Sequence, residues 1–134
     1  MISQKLACRI LYCYYTAMAF MWIRHPEDMM NNFDFMETTN ETAACMGGWA
    51  GAFMAITGCM LMAAAQLDCA AQKKILQYHS AGMLCCIYMT QKYKSLIKDT
   101  APLNGNVGLV LCISMFALSI YPCYYGPDAK AKSA

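Results

Sequence analysis

The sequence predicts an all-α membrane protein: a bundle of four transmembrane helices with one longer acidic loop between helices 1 and 2. Composition is the first indication. Hydrophobic residues make up 59% of the chain and charged residues 13%, against roughly 45–50% and about 25% in an average soluble domain. Too few polar residues are present to cover a soluble surface. The second is segmentation. Four apolar stretches, about 6–23, 43–67, 75–91 and 107–125, approach the roughly 20 residues a helix needs to cross the hydrocarbon core. Helices are expected because lipid offers backbone groups no hydrogen-bonding partner. The third is punctuation: interfacial and helix-breaking residues fall at the borders of these stretches. A chain of 134 residues fits a single integral-membrane domain, residues 1–134.

The first span runs from Leu6 to Ile23. Its opening, MISQKLACRILYCYYTAMAFMWI, is too long and aromatic for a cleavable signal peptide and has no clear small-x-small site, so it reads as a retained helix. Trp22, Arg24 and His25 close it and Pro26 stops it. The loop from Arg24 to Thr42 holds most of the acid, together with Met29, Met30, Phe33, Phe35 and Met36. An acidic loop with large apolar groups is expected to lie on the membrane surface or clasp a partner, as an extended strand or a short amphipathic helix, with Phe33 and Phe35 as docking residues.

Thr38 and Glu41 have capping-box spacing before the second span. That span, Ala43 to Leu67, has no charge before its end and is rich in small residues. Ala44, Gly48 and Ala52 recur every four residues, as do Gly47, Gly51 and Ala55, with Gly58 nearly a turn further on. In lipid, apolar side chains gain little by meeting each other, so close backbone approach across small residues carries association. These stripes are expected to pack inside the bundle or to dock another subunit.

The third span lies between Lys74 and Lys92 and contains His79, a candidate haem or chlorophyll ligand. A hydrogen bond to Ser80, Gln77 or a carbonyl is the simpler expectation. Pro102, Asn104 and Gly105 mark a turn before the fourth span, which ends near Pro122 and two interfacial tyrosines, Tyr124 and Tyr125. The polar tail, about 127–134, is expected to be mobile.

With four spans, Lys5, Arg9, Lys73, Lys74, Lys130 and Lys132 share one side with Asp68 and Asp128, a net +4, and the other side carries −2. The positive-inside rule then places both termini on the matrix-, stroma- or cytosol-like side. Arg9 lies inside a span border. It is expected to snorkel to that side or to meet a lipid phosphate or a partner's carboxylate.

No Asp or Glu lies inside a span, which argues against a proton-coupled transporter. No nucleophile–base pair or metal set is spaced for catalysis, so no enzyme activity is expected. The net charge of +2 gives no broad basic face for nucleic acid. The nine cysteines, odd in number and without C-x-x-C spacing, read as small core or lipid-facing residues. The sequon at Asn40 abuts the second span and reads as incidental.

The expected role is a non-catalytic accessory subunit of a large energy-transducing complex, a respiratory-chain complex or ATP synthase, stabilised by helix packing and structural lipids. Its partners would be other membrane subunits. The mitochondrial inner membrane is favoured, because no cleavable-looking leader precedes the first span, and the thylakoid comes second. The alternatives are a photosystem or antenna accessory subunit that binds chlorophyll, and a small free-standing transporter or lipid-handling protein.

Overall fold

The computed structural model describes residues 1–32, 41–92 and 105–127. Five helices follow in chain order: α1 (Gln4–Arg24), α2 (Pro26–Asn32), α3 (Glu41–Ala64), α4 (Cys69–Lys92) and α5 (Gly105–Tyr124). No strand occurs among the described residues.

Local chemistry sets the borders. Ser3 caps α1, its side chain accepting a hydrogen bond from the Leu6 amide at 3.2 Å. The 21 residues of α1 make a rod about 32 Å long, the thickness of a hydrocarbon core. The helix ends before Pro26, as the sequence implies, but the chain does not continue as a simple loop. Pro26 occupies the first position of α2, where its missing N–H costs nothing. Glu27 and Asp28 stand in the first turn of α2, and Met29 is buried. The first part of the acidic loop is thus a short helix packed on α3 and α1.

The turn between α3 and α4 is tighter than the sequence suggests. α3 stops at Ala64 rather than Leu67, and α4 starts at Cys69, well before the predicted third span at 75–91. Asp68 explains the early start. Its Oδ1 accepts from the amides of Ala70 and Ala71 at 2.8 and 2.9 Å, satisfying donors that a helix start leaves open. Gln72, buried, reaches back and donates through Nε2 to the Leu67 carbonyl at 2.8 Å.

α1 and α3 make the largest helix–helix contact, and α4 and α5 the next. Both pairs are antiparallel. A Cβ placed at Gly51 would fall 2.8 Å from Ile23 Cγ1, and one at Gly58 would fall 3.3 Å from Thr16 Oγ1. In the second pair, Gln77 reaches Tyr124 and His79 reaches Ser119. The starts of α1 and α4 and the ends of α3 and α5 therefore share one end of the bundle, the Gln4 end. There the core forms, from Ala7, Cys8, Leu11 and Tyr15 of α1, Leu61, Ala64 and Ala65 around the end of α3, Leu76 of α4 and Cys123 of α5.

Pro122 lies inside α5 and deprives one carbonyl of its usual donor. The turn is consolidated from outside: Gln4 Nε2 donates to the Pro122 carbonyl at 3.4 Å. Gly126 follows closely. A Cβ there would lie 2.8 Å from the Pro122 oxygen and 2.9 Å from the Ile2 oxygen, so glycine is what lets the chain pass.

Among the described residues, three helical segments are long and apolar enough to cross a membrane: Gln4–Arg24, Cys45–Ala64 and Asn106–Tyr124. α4 has the length but not the composition, because Gln72, Lys73, Lys74, Gln77, His79 and Ser80 crowd its first half. Phe33, Phe35, Thr38, Asn40, Pro102, Asn104 and the tail from 128 to 134 lie outside the described residues.

Candidate functional site

The polar network within the helices centres on His79. Tyr15 sits midway along α1, and His79 is ten residues beyond Cys69 on α4, about 15 Å from the start of that helix. This is deeper than the sequence-predicted border of the third span suggests. Tyr15 Oη lies 2.8 Å from His79 Nε2, and Ser119 Oγ lies 2.7 Å from His79 Nδ1. The Tyr15 ring stands edge-on to the imidazole at 5.5 Å. Three helices meet at one ring.

The hydrogen-bond directions follow from the outermost partner. Ser119 Oγ donates to the Met115 carbonyl at 2.7 Å, so toward His79 it accepts. The neutral imidazole then carries its proton on Nδ1, and Nε2 accepts from the Tyr15 hydroxyl. The opposite direction would leave Tyr15 donating to the Met83 sulfur at 4.0 Å, a poorer end point than a carbonyl. The chain Tyr15, His79, Ser119 stops at a backbone oxygen that cannot pass a proton on. What this arrangement can do is hold α1, α4 and α5 in register.

Both ring nitrogens are engaged, so coordination of haem iron or chlorophyll magnesium by His79 would require the Tyr15 or the Ser119 bond to be given up. Ser80, a sequence-level candidate partner, instead donates to the Gln77 carbonyl at 2.7 Å. Tyr15 and Ser119 were not legible as partners. Their signal was weak but physical: each is a polar group on the inward stripe of an apolar helix, and such a group needs a bond. Among the described residues, no three His, Cys, Asp or Glu side chains are grouped to hold a metal.

The small-residue stripes separate into two faces. Gly47, Gly51 and Gly58 are buried, and Gly51 and Gly58 press on α1. Ala52 and Ala55 are half-buried. A Cβ at Gly48 would meet nothing within 4 Å. Ala44 lies in α3, but its side chain is outside the described set. Internal packing therefore accounts for Gly51 and Gly58, and among the stripe residues with described side chains an outward docking face remains around Gly48 and Ala52.

Arg9 is exposed on α1. All nine cysteines are free thiols: Cys8 and Cys123 are buried, Cys112 is half-buried, and six are exposed on helix exteriors. Large apolar side chains also face outward. Met46, Trp49, Phe53, Ile56 and Met60 form one stripe along α3, with Trp49 and Phe53 each 63% exposed. Soluble monomers rarely expose so continuous an apolar stripe, and such stripes mark contacts with a membrane or a partner.

Fold and site together define a class: an all-helical protein with three helices compatible with membrane insertion. No family model, curated protein or solved structure matches the chain.

Proposed function

We propose that the protein is an integral membrane protein with four transmembrane helices, α4 included, that serves as a non-catalytic accessory subunit of a large energy-transducing membrane complex. Both termini lie on the matrix-, stroma- or cytosol-like side. The observation that carries this reading is the inversion of polarity. Beyond Lys5 and Arg9 the outer faces of α1, α3 and α5 are largely apolar, while three of the polar groups that lower the hydropathy of α4, Gln72, His79 and Ser80, point inward and are hydrogen bonded, and Lys73 and Lys74 stand within two turns of its start. A helix with its polar groups covered by neighbours is suited to cross lipid even when its average hydropathy is low. The open face at Gly48 and Ala52 supplies a smooth surface for another subunit's helix. The choice of an energy-transducing membrane, mitochondrial inner membrane before thylakoid, rests on the many small helical subunits such membranes contain, an analogy of fold.

The test is gentle extraction from native membranes, then native-gel sizing with an absorption spectrum of the same band. Migration far above the chain's own 14.9 kDa is expected. A small band would overturn the subunit reading in favour of a free-standing transporter or lipid-handling protein. Colour that disappears in His79→Ala would show pigment or haem ligation by that histidine.

A further inference from the structure

We propose that the Gln4 end of the bundle binds anionic phospholipid headgroups through Lys5, Arg9, Lys73 and Lys74. The proposal deepens the membrane reading and rests on it. The fold places at one end of the bundle two basic pairs that are 64 or more residues apart in sequence, because α1 and α4 both start beside the end of α5. Lys5, Arg9 and Lys74 are exposed. Lys73 is held in place: its Nζ lies 5.0 Å over the Tyr124 ring, the Tyr124 hydroxyl accepts from Gln77 Nε2 at 2.9 Å, and the Lys73 carbonyl accepts from Cys123 Sγ at 3.7 Å. Tyr121 and Tyr125 stack beside them at 5.7 Å. Tyrosine at the same level as lysine is the composition of a membrane–water boundary.

Helix direction strengthens the case. Every Cα–Cβ bond tilts toward the N-terminus of its helix. All four basic residues stand in the N-terminal part of a helix that starts at this end, so their stems incline out of the hydrocarbon toward the headgroups. Arg9 lies about 8 Å inside the start of α1, between exposed Leu6 and Ile10. On that apolar face its guanidinium has one favourable course, back along the helix to a phosphate, whose oxygens it can bridge in two bonds. Arg24 and Lys92 end their helices at the other end of the bundle, where the same tilt inclines them toward the hydrocarbon. Glu27 and Asp28 add negative charge beside Arg24. Among the described residues the two ends are therefore unequal: four basic side chains stand with one acid, Asp68, at the Gln4 end, and Arg24 and Lys92 stand with Glu27, Asp28 and Glu41 at the other.

The experiment reconstitutes the full chain in mixed phosphatidylcholine and phosphatidylglycerol bilayers and counts the lipids retained by native mass spectrometry. The wild type should retain phosphatidylglycerol preferentially. The variant K5Q/R9Q/K73Q/K74Q should lose that preference, at roughly fivefold per basic residue removed, and R24Q/K92Q should keep it. Lys5→Gln and Lys74→Gln alone change exposed side chains, so each should lower the preference even if the fourfold variant does not fold. Equal retention of the two lipids by the wild type, or an unchanged ratio in Lys5→Gln and Lys74→Gln, overturns the proposal. So does loss of the native-gel complex with an unchanged lipid ratio, which would assign the charges to a partner's acidic segment. Alkaline carbonate extraction keeps the two readings apart: release of the wild type into the soluble fraction refutes membrane insertion itself, whereas retention with no lipid preference refutes only the headgroup site.

Discussion

At the residue scale, His79 and Gly126 carry the clearest consequences. His79 ties Tyr15 and Ser119, and interhelical hydrogen bonds in membranes average about 0.6 kcal/mol with a maximum near 1.7. His79→Leu should therefore destabilise the bundle by about 1–3 kcal/mol, and Tyr15→Phe by about 1 kcal/mol or less. The two effects should be less than additive, because the bonds share one ring. Unfolding in mixed micelles, carried through the double-mutant cycle, measures this directly. Additive losses would mean that the two side chains act independently. Gly126→Ala tests a different term. The added methyl would meet two carbonyl oxygens at under 3 Å, and overpacking of this kind typically costs about 1–3 kcal/mol. Because both oxygens belong to backbone, the strain cannot be relieved by turning a side chain, and a lowered melting temperature in detergent is the expected result.

At the element scale, α3 is two-faced, and a pair of glycine variants reads each face. Gly51→Leu would drive a side chain into Ile23 and Trp22, so it should separate α1 from α3 and lower stability by about 1–3 kcal/mol or more. Gly48→Leu meets open space and should leave stability within about 0.5 kcal/mol. If α3 docks a partner through this face, Gly48→Leu should nonetheless remove the chain from its large complex, as judged by native gel with the melting temperature as control. Helix identity was largely legible here. The four apolar stretches lie on the four long helices, because hydropathy is a property of composition and needs no partner. The start of α4 was not, since Asp68 and Gln72 act through hydrogen bonds that hydropathy does not register. The partners of His79 were also hidden. They lie 64 and 40 residues away in sequence, and only the antiparallel pairing of two hairpins brings them together. Where the glycines of α3 point was half legible: spacing gave the two stripes, but not which of them α1 would cover.

At the scale of the whole molecule, the number of crossings can be decided by sidedness. Cys45 stands near the start of α3 and Cys69 at the start of α4, just past the turn that follows α3, and both are exposed, so single-cysteine variants retaining one or the other should react with a membrane-impermeant maleimide from opposite sides. Lys92→Cys in the same cysteine-poor background then tests α4. Labelling from the Cys45 side is expected if α4 crosses. Labelling from the Cys69 side would mean that α4 lies along the surface and that only three helices span.

The Nδ1 proton of His79 gives the assembled bundle a clock. It is shared between α4 and Ser119 of α5, and on the membrane reading proposed above no water stands by to replace it, so exchange for deuterium is expected to wait until α4 and α5 part. Its nitrogen-15-filtered NMR signal would fade at the rate of that parting. The lifetime of one imidazole proton thus reports how often the whole molecule breathes, in the membrane and without any attached label.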